Sequence, residues 1–144
     1  MSELKSYQMY INGEWVDAKD GKTFESVNPS TGNSWAIIPE AGETDVDAAV
    51  QSAHRAFTDG PWPKMTATER GKLLRRLADI LAEHSETLGH SETVDTGKLF
   101  QETRWQARYI SDFFHYYAGL ADKVQGDTLP IDKPNMWTMT VREP

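Results

Sequence analysis

Thr93-Val94-Asp95-Thr96-Gly97-Lys98-Leu99 joins two long amphipathic helical patterns that together run from Thr66 to Ala121. Gly97 follows the last periodic residue of the first pattern. Glycine there ends a helix because it accepts the left-handed backbone conformation without steric penalty. Asp95 sits against the same logic. A carboxylate in a helix's last turn faces the negative end of the macrodipole, at a cost of about 0.3–1 kcal/mol when exposed. Either Lys98 or a bound cation is expected to offset it, unless Asp95 simply caps the turn.

Upstream of this joint, Thr66-Ala67-Thr68-Glu69 fits a capping box, in which the hydroxyl and the glutamate each satisfy a free backbone donor. Leu73, Leu74, Leu77, Ile80 and Leu81 then predict a buried stripe, and Ser85 is expected to cap a further helix carrying Leu88 and Val94 up to Gly97. Downstream, Ala107, Ile110, Phe114, Tyr117 and Ala121 form a second stripe, with Trp105, Tyr109 and Phe113 alongside. Such broad apolar faces need cover on more than one side. A shorter helix precedes the block. Thr44 reads as its hydroxyl N-cap, with Asp47 three residues on, and Val46, Ala49, Val50, Ala53, Ala56 and Phe57 follow at helical spacing until Gly60-Pro61.

Both ends of the chain read as strand. Tyr7, Met9 and Ile11 alternate with Gln8, Tyr10 and Asn12 before Asn12-Gly13 turns the chain into Glu14-Trp15-Val16. Asn-Gly suits the two positive φ angles of a type I′ hairpin. Thr23 to Val27 and Trp35 to Ile38 predict a second pair around the turn Asn28-Pro29-Ser30-Thr31-Gly32, where Pro29 keeps Asn28 out of a helix. At the other end, Thr128-Leu129-Pro130-Ile131 and Met136 to Arg142 form a hairpin around Lys133-Pro134-Asn135. The fold class is α/β.

Composition narrows the function. The 144 residues have the size of one ordinary domain and a formal charge of -7, from 22 acidic and 15 basic residues. That balance leaves no electrostatic footprint for nucleic acid or an anionic membrane. There is no cysteine, hence no disulfide, no thiolate metal site and no cysteine nucleophile among these residues. The N-terminus lacks the apolar core of a signal peptide and no apolar run has membrane-spanning length, so a cytoplasmic location is expected. His54, His84, His90 and His115 fall on separate segments without metal-ligand spacing and read as solvated surface. No Gly-x-Gly occurs among the ten glycines, which excludes the common dinucleotide fingerprint. The acid pair Glu92 and Asp95 reads as helix surface rather than as an acid–base pair, and Trp15 and Trp62, beside turns, as lids on a core. Taken residue by residue, the chain contains no active site.

The order of its motifs says more. Tyr10-Ile11-Asn12-Gly13-Glu14-Trp15-Val16, Thr23-Phe24-Glu25, Val27-Asn28-Pro29-Ser30-Thr31-Gly32, Asp45-Val46-Asp47, Asp95-Thr96-Gly97-Lys98, Tyr116-Tyr117-Ala118, Gly126-Asp127-Thr128-Leu129-Pro130 and Arg142-Glu143-Pro144 together resemble the aldehyde dehydrogenase superfamily. Each motif alone is weak; the series, in order and spacing, is specific and covers essentially the whole chain. Leu99 stands where relatives commonly have proline after the Gly-Lys pair, a departure that bears on subfamily.

The resemblance implies the N-terminal part of the aldehyde dehydrogenase fold. Residues 1–121 would belong to the NAD- or NADP-binding domain and 122–144 would be the first hairpin of an oligomerisation arm, with the catalytic domain beyond Pro144. The family oxidises aldehydes through a cysteine thiolate, passes hydride to NAD(P) and hydrolyses a thioester with a glutamate base. Those residues would lie downstream, so the resemblance assigns no catalytic or cofactor-binding residue here, and this chain alone is expected to be inactive. Implied partners are an aldehyde substrate and further copies of the enzyme, as a dimer or tetramer. Many relatives hold a structural potassium or sodium ion, and the positions that match its ligands are Ser26, Val27 and Asp95. The alternative is a naturally short, non-catalytic interaction module of the same family.

Overall fold

The computed structural model describes residues 4–141. Two small sheets precede the helices. β1 (Lys5–Ser6) lies parallel to β5 (Asn33–Pro39), which pairs antiparallel with β4 (Thr23–Asn28). β2 (Met9–Ile11) and β3 (Glu14–Val16) form the expected hairpin, with Tyr10 opposite Trp15. Asn12 at φ 55° and Gly13 at φ 83° supply the two positive angles that its turn requires. β1 has no counterpart in the sequence reading, because two residues carry no periodicity. The Trp15 ring packs at a tilt against Tyr10, centroids 4.9 Å apart, and stays 66% exposed, so it covers its hairpin partner and not a core. Trp62, in a 3-10 turn, is 44% exposed.

α1 (Glu43–Thr58) begins earlier than Thr44 and Asp47 suggest. Gly42 occupies the N-cap position, and the acid that closes the turn is Asp45, whose carboxylate accepts from the backbone N–H groups of Gly42 at 3.0 Å and Lys19 at 3.1 Å. One buried acid thus ties the helix start to the loop after β3, which an N-cap hydroxyl at Thr44 would not do. α2 (Ala67–Glu83) starts on the predicted capping box: the Thr66 hydroxyl accepts from the Glu69 N–H, and Glu69 accepts from the Thr66 N–H at 2.8 Å. α3 (Ser85–Thr96) follows with only His84 between. Ser85 is its first residue and not its cap; the Leu88 N–H bonds to the His84 carbonyl. α4 (Phe100–Leu120) packs along both α2 and α3.

The helices meet through small residues. Thr103, Ala107, Ser111 and Ala118 are buried on α4, against Gly71 and Ala78 of α2 and Gly89 of α3. A Cβ on Gly89 would lie 2.6 Å from Arg104 Cα, and one on Gly71 2.8 Å from the Ala118 carbonyl oxygen, so the backbones touch. This corrects the expectation for the leucine stripe: Leu74 and Leu81 are half-buried, but Leu73, Leu77 and Ile80 are 39–42% exposed, because the small residues beside them take the helix contact. On α4, Trp105, Tyr109, Phe113 and Tyr116 lie about half a turn round from the buried face at roughly 100° per residue. All four are exposed, with Tyr109 stacked on Trp105 at 4.7 Å and edge-on to Phe113 at 5.1 Å. α4 therefore has two apolar faces, of which this chain covers one.

After α4 the chain forms a short ribbon, β6 (Thr128–Leu129) with β7 (Thr138–Met139), Thr128 opposite Met139. The Met136 N–H bonds the Lys133 carbonyl across the expected turn. The motif Arg142-Glu143-Pro144 lies outside the described residues. No described helix is long and apolar enough to cross a membrane.

Candidate functional site

Asp95 ends up where two elements converge. The C-terminal turn of α3 stops at Gly97, in the left-handed region at φ 76°, with its N–H bonded to the Thr93 carbonyl. The turn packs on the Asn28-Pro29 corner at the end of β4. That corner is itself fixed: Asn28 accepts from Ser30 N–H through its side chain and from Gly32 N–H through its carbonyl. The result sets the Ser26 hydroxyl beside Asp95, donating to Oδ1 at 2.6 Å over 69 residues of sequence separation.

A register shift lies at the same point. Ser26 pairs with Ala36 but Val27 with Ser34, so Trp35 is the extra residue of a β-bulge. A bulge re-aims a side chain, and here the Trp35 indole N–H reaches both Ser26 Oγ at 3.1 Å and Asp95 Oδ1 at 3.3 Å. Tyr7 stands edge-on against the indole at 5.9 Å. An open cleft of about 350 Å³ borders the cluster, lined in part by Trp35, Glu92, Asp95 and Thr96.

Of the two offsets the sequence suggested for Asp95, the structure removes one. Lys98 turns back to Glu92, Nζ to Oε1 at 2.6 Å. That pair also disposes of Glu92 as an acid–base partner of Asp95. Among the described residues no lysine, arginine or histidine bridges to Asp95, which leaves a carboxylate at a helix C-terminus held only by neutral donors. The oxygens shown at the corner are the carboxylate and the Ser26 hydroxyl, next to the interrupted ladder between Ser26 and Val27, and hard cations favour such oxygens. No group of three His, Cys, Asp or Glu side chains gathers anywhere among the described residues. One acid with neutral oxygens suits a monovalent ion better than a divalent one. Ser26 and Asp95 are thus joined by a hydrogen bond, with Val27 the next residue of β4; Trp35 was not anticipated, because the bulge that turns it inward leaves no mark on the alternation of Trp35 to Ile38.

The remaining chemistry-bearing residues stay apart. His115 pairs with Asp79 across α2 and α4 at 3.2 Å, His90 lies edge-on to Phe100, and His54 and His84 are exposed. Among the described residues these side chains do not gather into a nucleophile, base and oxyanion donor.

Comparison with known proteins follows the same lines. The family model described as "Aldehyde dehydrogenase family" matches residues 15–144. A curated relative from Acinetobacter baylyi, a (Z)-2-((N-methylformamido)methylene)-5-hydroxybutyrolactone dehydrogenase, is 45% identical over 98% of this chain and 28% of its own length. Aldehyde dehydrogenase family 2 member C4 of Arabidopsis thaliana is 41% identical over 100% of this chain and 29% of its own. Among solved structures, the NAD+ complex of aldehyde dehydrogenase from Bacillus cereus superimposes with a TM-score of 0.91 at 42% identity, over 97% of this chain and 28% of that one. The chain therefore spans under a third of the length of these relatives. By that match and its mixed α/β architecture, the chain belongs to the aldehyde dehydrogenase family.

Proposed function

We propose that this chain is the N-terminal scaffold of an NAD(P)-dependent aldehyde dehydrogenase, one that oxidises an aldehyde to a carboxylic acid. The superposition on the NAD+-bound Bacillus cereus enzyme carries this reading. On this reading, residues 1–121 would contribute to the coenzyme-binding domain and 122–144 would be the first hairpin of an arm that joins subunits. The 144 residues contain no cysteine, so a thiolate nucleophile has to come from elsewhere. They also lack a Gly-x-Gly loop, so they offer NAD(P) no phosphate cradle of that kind. What the chain does supply is the Ser26–Asp95 corner, where a potassium or sodium ion would neutralise Asp95 and lock α3 to β4.

The scaffold role is tested by exchange. Mixed alone with NAD and a panel of aldehydes, the chain forms no NADH; joined in frame to the Bacillus cereus enzyme in place of its matched segment, it restores aldehyde-dependent NADH formation. A folded but inactive chimera would overturn the reading. The cation role is tested by melting: potassium chloride raises the melting temperature above that in tetramethylammonium chloride of equal ionic strength, since an ion bound only by the native state stabilises it by mass action. Asp95→Ala abolishes that increment. Equal responses of parent and variant would reduce Asp95 to a cap.

A further inference from the structure

We infer that Trp35 is the built-in competitor of the cation for Asp95, so that its indole N–H sets the affinity of the corner and reports its occupancy. The inference rests on the cation reading above. Its basis is that one oxygen, Asp95 Oδ1, already receives two donors, Ser26 Oγ at 2.6 Å and Trp35 Nε1 at 3.3 Å, and that Trp35 Nε1 also donates to Ser26 Oγ at 3.1 Å. An indole N–H is a donor and never an acceptor. It presents its positive end to the same oxygens a cation would need, and both cannot hold the same lone-pair direction.

The fold maintains this placement. Trp35 is the unpaired residue of the β4–β5 bulge, and it is held from the far side by the Tyr7 edge, whose N–H is anchored to the Ile37 carbonyl at 2.9 Å. Among the described residues no basic side chain bridges to Asp95, Lys98 being engaged by Glu92. The indole therefore stands in for the missing positive charge as a dipole. A cation that coordinates Oδ1 displaces one of the two donors it already holds, and an indole N–H displaced in this way retains only Ser26 Oγ or turns to the adjoining cleft, which Trp35 itself lines. Tight binding is traded for a corner that is satisfied in both states.

The indole N–H resonances of the 15N-labelled chain, with Trp35 assigned through Trp35→Phe, are followed as potassium chloride replaces tetramethylammonium chloride at constant ionic strength. The Trp35 proton moves upfield and exchanges faster with solvent, saturating at the same potassium concentration as the rise in melting temperature. Trp35→Phe, which removes the competing charge-assisted hydrogen bond, lowers that concentration by roughly tenfold. A melting response to potassium with a stationary Trp35 resonance, or with an unchanged midpoint in a folded Trp35→Phe chain, overturns the inference and leaves the cation reading standing. No melting response at all overturns the cation reading itself. Should Trp35→Phe not fold, assignment through Trp15, Trp62, Trp105 and Trp137 variants by elimination lets the unsubstituted chain decide.

Discussion

A Cβ placed on Gly97 would stand 3.0 Å from Pro29 Cγ, so the end of α3 and the corner after β4 approach closely enough that Pro29 would have to give way to a side chain there. The same glycine holds φ 76°. Two independent requirements, a left-handed backbone and a close approach, thus fall on one residue that also fixes where Asp95 points. Gly97→Ala is expected to cost about 1–2 kcal/mol from the backbone alone, and more from the contact. Urea unfolding measures it. The same substitution should weaken any potassium-dependent stabilisation, because it perturbs the turn two residues after Asp95; a loss below about 0.5 kcal/mol would mean that the corner yields easily.

The buried hydroxyl pair Thr93 and Thr103 gives a second test. Their oxygens lie 2.8 Å apart between α3 and α4, and Thr103, fully buried, also reaches the Phe100 carbonyl at 3.1 Å. Thr103→Val keeps the shape and strands the Thr93 hydroxyl, at a cost of about 1–2 kcal/mol. The double variant Thr93→Val/Thr103→Val should cost less than the two single variants added together, since neither hydroxyl is then left without its partner. Strict additivity in denaturant melts would show that the two hydroxyls do not depend on each other.

Local signals were legible in the sequence and contact geometry was not. The capping box at Thr66, the Asn12-Gly13 turn and the Gly97 stop each need only neighbours in the chain, and each is found where the residues put it. The start of α1 was misplaced because Asp45 and Asp47 both suit a first turn, and Asp45 is held by the Gly42 N–H together with the distant Lys19 N–H, a contact that neighbours in the chain do not reveal. The leucine stripe of α2 was legible as apolar, yet its burial depends on which neighbour comes close, and Gly71 and Ala78 bring α4 to the other side. At the candidate site Ser26 and Asp95 came from the family pattern, while Trp35 is placed by a register shift that leaves no periodic trace.

Protonation should reveal the capping box. Glu69 is held below its ordinary carboxylate range, first by the Thr66 backbone N–H and then by the Thr66 hydroxyl. A depressed folded-state pKa contributes stability that is fully present above the unfolded value, near 4.5, and lost as pH falls through the lowered folded value. Glu69→Gln, which keeps an acceptor but does not titrate, should therefore flatten the part of the stability-against-pH curve below that point. Superimposable curves for parent and variant would show that the box does not depend on the charge.

The last prediction concerns self-association. Trp137 is 85% exposed, Met139 62% and Val141 68%, on a ribbon whose paired strands are two residues long. A lone hairpin of that size is marginal in water unless another surface covers its apolar face, and its unpaired edges can accept a further strand. The aromatic face of α4, from Trp105 to Tyr116, is a second uncovered surface, so the two must be separated. Trp137→Glu and Tyr109→Glu each add one charge to one of the surfaces, and light scattering over a range of protein concentrations reads the assembly state. On the oligomerisation-arm reading, Trp137→Glu shifts the chain toward monomer and Tyr109→Glu leaves assembly largely unchanged. The reverse pattern would make the α4 face the association surface, and a parent chain that stays monomeric at every concentration would remove the ribbon from that role.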